Sequence, residues 1–262
     1  MVSTREELAD LVADVRALLD DAALRGVRDE GPVQPLPAAD PTVAAPPIEA
    51  PSTAKGWGAL AEAAREAPPT GAEALRRVRD DMGDCRRCAL AGGRRQLVFG
   101  VGDPDADLVV IGEAPGYHED QQGEPFVGAA GQMLDKMLVH VLGLSRQQHV
   151  YILNMVKCRP PRNRDPEPAE IEACRPFLEG QLAALQPKVL LVLGRVALQA
   201  LFLSNDRITR VRGRWREYNG IPTMPTFHPA YLLRNPADKR LTFDDLKAVR
   251  ARYDEVGGRR DG

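Results

Sequence analysis

Four cysteines are the residues of this sequence whose type and spacing point most directly to chemistry. Cys85 and Cys88 form a Cys-x2-Cys pair, and Cys158 and Cys174 follow in a proline-rich stretch. Such a pair directs two thiolates from one tight turn to one metal centre, and two further cysteines complete fourfold ligation. Zinc and a four-iron cluster both accept this set, and the wide second spacing favours the cluster. Four unrelated buried cysteines are the alternative.

A glycine-rich acidic loop, residues 112–131, is the second candidate site. It follows an apolar run directly and contains Glu113, Glu119 and Phe126. Its glycines allow the backbone to approach a ligand closely, and its carboxylates could take part in acid–base chemistry. The dinucleotide-binding pattern Gly-x-Gly-x-x-Gly is absent from it. Taken alone, the loop could also be a solvated turn, with Phe126 in the core.

Several longer strings carry a specific family resemblance. They are Gly-Glu-Ala-Pro-Gly at 112–116, Gly-Glu-Pro-Phe-Val-Gly at 123–128, Asn-Met-Val-Lys-Cys-Arg-Pro-Pro at 154–161 and His-Pro-Ala-Tyr-Leu-Leu at 228–233. Together with the cysteines, they resemble the family 4 uracil-DNA glycosylases, over about residues 71–253. The resemblance implies a three-layer α/β/α sandwich with a central four-stranded, mostly parallel sheet. It also implies a 4Fe-4S cluster held by Cys85, Cys88, Cys158 and Cys174.

The activity implied is that of a monofunctional glycosylase in base excision repair. Such an enzyme hydrolyses the N-glycosidic bond of a flipped-out deoxyuridine and leaves an abasic site in DNA, single- or double-stranded. By resemblance, Phe126 stacks on the uracil, Asn154 pairs with N3 and O4, and His228 donates a hydrogen bond to O2. Gly112 and Ala114 complete the substrate-binding set.

The remaining catalytic residues follow from the same resemblance. Glu113 would lie beneath the sugar, where a carboxylate orients water or stabilises a cationic transition state. In family 1 enzymes an aspartate follows this position, whereas Ala114 does here. Glu113, Glu119 and Asn163 would therefore share the positioning of water, with His228 as the fourth catalytic residue. Glu119 could alternatively crowd C5 of the base and exclude thymine.

A wedge that fills the gap left by the flipped nucleotide is implied for Leu232, Leu233 and Arg234. An ordinary helix start is the alternative reading of these residues. Nearby, arginines at 207, 210, 212, 214 and 216 form a basic run that could neutralise DNA phosphates.

Alternating elements must position these residues. Apolar runs predict strands at 107–112, 150–154, 188–194 and, more weakly, 221–227. Helical spacing predicts helices at 71–82, 131–142, 168–185, 195–203 and 239–253. Such alternation predicts a mostly parallel sheet covered on both faces, with ligands bound at the carboxyl ends of its strands.

The domain organisation follows from composition. Residues 1–30 predict an amphipathic helix, 31–56 a linker rich in proline and alanine, and 57–256 the catalytic domain. A protein partner for the N-terminal tail is a further expectation. With no apolar stretch long enough to span a bilayer, we expect a cytoplasmic, nucleoid-associated monomer without membrane contact. A net charge of −2 does not exclude DNA binding, because local clusters decide it. The competing function is a non-catalytic iron–sulfur module that binds DNA or a replication partner.

Overall fold

The structure, a computed structural model, describes residues 70–259. The predicted N-terminal helix and linker lie outside the described residues, as does the start of the predicted catalytic domain. None of the described helices is long and apolar enough to cross a membrane.

A six-stranded sheet runs through the centre of the described residues, in the order β1-β3-β2-β4-β6-β5. Its strands are β1 (Val101–Gly102), β2 (Leu108–Gly112), β3 (Val150–Asn154), β4 (Val189–Leu193), β5 (Arg216–Tyr218) and β6 (Ile221–Thr226). The four strands β3, β2, β4 and β6 pair in parallel, which confirms the predicted four-stranded parallel core. Two short antiparallel strands, β1 and β5, extend it at either edge and were not predicted.

Helices cover both faces of this sheet. The described helices are α1 (Gly71–Met82), α2 (Tyr117–Gln122), α3 (Ala129–Met137), α4 (Pro168–Leu185), α5 (Arg195–Phe202), α6 (Ile208–Val211), α7 (Pro229–Arg234) and α8 (Lys239–Glu255). A π-helical turn, Leu138–Leu142, continues α3. Helices α1, α4 and α5 pack on one face, and α8 packs on β4, β6 and the π-helical turn. The predicted three-layer arrangement is therefore confirmed.

The central strands are buried on both faces, since all five residues of β2, β3 and β4 are buried. Alternate side chains of β2 show the period of two expected of a strand: Val109 and Ile111 join the core cluster beneath α1, α4 and α5. The continuous apolar runs in the sequence are explained by this double burial.

Candidate functional site

The loops after the four parallel strands meet at one edge of the sheet. Strand pairing sets Gly112 of β2 opposite Asn154 of β3. On the other side of β2, the amide of Gly194, just after β4, donates to the carbonyl of Thr226 at the end of β6. His228 follows two residues later. Three of the predicted site positions, Gly112, Asn154 and His228, are therefore at this edge because of strand register.

Gly112 is the point on which two predicted ligand-binding side chains converge. A Cβ atom at this position would lie 2.4 Å from Asn154 Oδ1 and 2.6 Å from Phe126 Cζ. Contacts that short do not occur, so a larger residue would displace one of the two side chains. The sequence at this position is thus dictated by the approach of Phe126 and Asn154.

Asn154 is buried, and its Oδ1 atom has no hydrogen-bond partner among the described residues. An acceptor left unpaired away from water costs about 1–3 kcal/mol. Such groups in native structures call for an explanation, and a ligand that donates a hydrogen bond to this oxygen is one.

Phe126 is held in place by polar groups around its backbone. Its φ angle of 55° is unusual for a residue with a side chain. Arg146 donates to the carbonyl oxygens of Pro125 (2.9 Å) and Phe126 (2.8 Å). At Gly131, an added Cβ would lie 1.8 Å from the Phe126 carbonyl oxygen, so a glycine is required there. The sequence analysis missed Arg146, which lies 20 residues from Phe126 and carries no local signal.

Glu119, a predicted catalytic residue, hydrogen-bonds the backbone of the loop that contains Phe126. Its Oε1 atom accepts from the amides of Val127 (3.0 Å) and Gly128 (3.1 Å), and its Oε2 atom accepts from the amide of Gly116 (3.1 Å). These bonds join the two arms of the loop on either side of Phe126. In this structure, Glu119 therefore positions Phe126.

His228 lies beside Phe126, with ring centroids 5.5 Å apart and 27° between the ring planes. Its Nδ1 atom accepts a hydrogen bond from the amide of Ala230 (3.1 Å), which leaves the ring proton on Nε2. Burial lowers the pKa of His228 to about 4, and the nearby Arg234 acts in the same direction. The imidazole is therefore neutral near pH 7 and presents Nε2–H as a donor.

Glu113 is the carboxyl group whose acidity is most altered in this region. Burial raises the pKa of Glu113 to about 7, and the negative charge of Asp165 adds to that shift while Arg195 opposes it. Arg195 donates to Asp165 at 2.5 Å. The sequence analysis did not identify Asp165, in a loop, or Arg195, at the start of α5, because both are distant from Glu113 in sequence.

Two other predicted site residues are placed less centrally. Ala114 packs against the apolar cluster around the cysteines. Asn163 is exposed, has a φ of 55°, and its Oδ1 atom accepts from Arg159 Nε at 2.7 Å. Its catalytic role stays a prediction.

The predicted wedge is divided between the core and the surface. Leu232 is only 1% exposed and belongs to the core, whereas Leu233 is half-buried and Arg234 is exposed. Only the last two are open to a DNA strand in this structure. In the basic run, Arg212 pairs with the buried Asp245 and Arg216 with Asp206, while the arginines at 207, 210 and 214 are exposed.

The four cysteines line one mainly apolar pocket, together with Met82, Leu97, Lys157 and Phe177. All four are free thiols. Burial raises the pKa of Cys158 to about 11, and Arg94 counteracts this by donating to its Sγ atom at 3.4 Å. Arg94 also donates to the carbonyl of Cys85 at 2.7 Å. No group of three or more His, Cys, Asp or Glu side chains within residues 70–259 is arranged to hold a metal ion.

Lys157 lies between the cysteine pocket and Asn154. It is 1% exposed, and its ammonium donates to the backbone carbonyl of Asn154 at 2.7 Å. Burial lowers the pKa of Lys157 to about 8, against an opposing effect of Cys174.

Comparison with known proteins gives a consistent result. The family model of the uracil DNA glycosylase superfamily matches residues 99–249. A type-4 uracil-DNA glycosylase of Sulfurisphaera tokodaii is 41% identical over 186 residues, which cover 68% of this chain and 84% of the relative. The type-4 enzyme of Archaeoglobus fulgidus is 43% identical over 66% of this chain and 89% of its own length. A type-5 uracil-DNA glycosylase of Thermus thermophilus is 38% identical, over 40% of this chain and 53% of the relative.

The protonation state of His228 gives the first testable prediction. In a 15N NMR titration of the histidine rings from pH 7.5 to pH 5, the His228 ring should stay neutral with its proton on Nε2, because its pKa is near 4. His228→Gln assigns the signal. Since the unfolded chain binds this proton at an ordinary pKa of about 6.5, His228 should also lower the free energy of unfolding as pH falls towards 4. A ring already charged at pH 6 would contradict the prediction.

Proposed function

This chain belongs to the type-4 uracil-DNA glycosylases of the uracil DNA glycosylase superfamily, and we propose that it excises uracil from DNA by hydrolysing the N-glycosidic bond. The reaction leaves an abasic site. The observation that carries the proposal is the unpaired, buried Oδ1 atom of Asn154, at the edge where Phe126 and the neutral donor His228 also lie.

Asn154 supplies the selectivity for uracil. Its Oδ1 atom accepts from N3–H of a flipped uracil, and its amide nitrogen donates to O4. Cytosine has an acceptor at N3 and a donor, its exocyclic amine, at C4. The Asn154 side-chain oxygen would then face an acceptor, and its side-chain nitrogen would face a donor. A site built on hydrogen bonds to buried groups rejects such a base strongly. Phe126 offers the flat surface on which the base stacks.

His228 stabilises the leaving group. As the sugar bond breaks, negative charge grows on the uracil, and Nε2–H of His228 donates to O2 where that charge develops. The amide of Ala230 fixes the tautomer, so the donor is oriented before the reaction starts. Removal of one such donor typically lowers the rate about 10²–10³-fold.

Glu113 acts on the sugar side of the bond. When ionised, its carboxylate stabilises the positive charge of an oxocarbenium-like transition state and orients the attacking water. Glu119 serves by holding the Phe126 loop, and Asn163 is held by its hydrogen bond from Arg159. The half-buried Leu233 and the exposed Arg234 contact the strand from which the nucleotide has left.

We further propose that the four cysteines hold a 4Fe-4S cluster. The residues fit such a group, because four thiols line a single apolar pocket and two cations, Arg94 and Lys157, lie beside them. When bound, the cluster would link the four cysteines to one another through iron–thiolate bonds.

The glycosylase activity is tested with a labelled oligonucleotide containing one uracil, followed by alkaline cleavage of abasic sites. Strand scission should occur with uracil and not with thymine or cytosine. Asn154→Ala and His228→Ala should each lower the single-turnover rate at least 100-fold. Asn205→Ala and His140→Ala change the same residue types at exposed positions and should leave the rate unchanged. DNA binding without scission would instead support the non-catalytic module.

The pKa of Glu113 gives a pH prediction for the same assay. Because burial raises this pKa to about 7 and the ionised form is the active one, the single-turnover rate should rise with pH through about 7. Below the pKa the slope should approach tenfold per pH unit. Glu113→Gln should lower the rate about 100-fold and remove this pH dependence, while the exposed Glu217→Gln should change neither. A rate that is constant between pH 6 and pH 8 would rule out this role.

The cluster is tested on the purified protein. We expect visible absorbance near 400 nm and about four iron atoms per chain, without zinc. Cys85→Ala should lower the iron content and the yield of folded protein together. Zinc in place of iron, or full stability of the wild-type protein without any iron, would overturn the assignment.

A further inference from the structure

Lys157 contacts both the cysteine pocket and the residue proposed to read uracil. Its backbone amide hydrogen-bonds the sulfur of Cys174, and the residue lines the cysteine pocket. At its far end, the ammonium donates to the carbonyl oxygen of Asn154 at 2.7 Å. One buried residue thus contacts both sites, the first through its backbone and the second through its ammonium group.

The positive charge of Lys157 makes this contact sensitive to the charge of the cysteine pocket. A buried ammonium group loses its hydration, and a neutral carbonyl replaces only part of it. Thiolates that bind a metal centre carry negative charge, so a loaded cysteine pocket stabilises the ammonium at the place where it holds the Asn154 carbonyl.

We propose that Lys157 is a positioning residue that couples the loading of the cysteine pocket to the readiness of Asn154 to bind uracil. The contact with the Asn154 carbonyl fixes the backbone from which the amide side chain projects. The β3 strand ends at this residue, so its main chain needs partners beyond the strand ladder. The inference rests on the proposed function, since it concerns the residue that reads the base.

The test compares Lys157→Met with Lys188→Met in the full, iron-loaded chain. Lys188 also donates to a backbone carbonyl, that of Gly257 at 2.8 Å, but is exposed and does not line the cysteine pocket. Two quantities are measured: the affinity for free uracil by calorimetry, and the rate at which absorbance near 400 nm is lost in a chelator. In Lys157→Met, uracil affinity should fall at least tenfold and the cluster should be lost several-fold faster. Lys188→Met should match the wild type in both.

A conservative variant distinguishes loss of the positioning contact from non-specific disruption of the fold. Lys157→Arg keeps the charge and the donor, so it should recover most of the uracil affinity that Lys157→Met loses. Faster cluster loss in Lys157→Met with unchanged uracil affinity would overturn the coupling, as would wild-type behaviour in both measurements.

A measurement on the wild-type chain covers the case in which Lys157→Met does not fold. Saturating uracil should slow the chelator-driven loss of absorbance, whereas thymine should not, because binding at Asn154 favours the loaded form. An unchanged rate with bound uracil would overturn the proposal. Failure of the wild-type protein to bind uracil at all would instead count against the proposed function.

Discussion

The parallel pairing of β2 with β3 is the constraint on which the rest of the site depends. It sets Gly112 directly opposite Asn154, and the absence of a side chain at Gly112 lets Asn154 and Phe126 approach within contact of the same point. A slip of one residue would turn every side chain of β3 to the other face of the sheet. Because both strands are buried on both faces, their apolar side chains make such a slip costly.

Hydrogen bonds from polar side chains then fix the loop after β2, which carries Phe126, and the end of β3, which carries Asn154. Glu119 and Arg146 bind the backbone on either side of Phe126, and Lys157 binds the backbone of Asn154. Charge-assisted hydrogen bonds of this kind are about twice as strong as neutral ones. The segments that carry Phe126 and Asn154 are thus held by charged side chains that hydrogen-bond main-chain atoms.

The sequence predicted the regular elements well and the long-range contacts poorly, for physical reasons. Helices α1 and α4 and strand β3 have the predicted bounds, because local signals such as Pro168 at a helix start mark their ends. Strands β1 and β5 are two and three residues long, too short for a hydrophobic period. Asp165, Arg195 and Arg146 act only through tertiary contacts. Leu232 is buried because α7 turns that face inward, which its sequence alone does not decide.

Burial shifts the pKa values of the two ionisable site residues, His228 and Glu113, in opposite directions, and this difference suits the proposed bond cleavage. It lowers the pKa of His228 and raises that of Glu113, so both groups are pushed towards their neutral forms. In the proposed reaction, the neutral imidazole of His228 would offer a donor to the departing base without first taking a proton from solvent. In the proposed reaction, the already ionised form of Glu113, which is present near pH 7 because its pKa is about 7, would stabilise the positive charge that develops on the sugar. The same low-polarity surroundings that shift these two pKa values would strengthen the attraction of the two groups to charge formed during the proposed reaction.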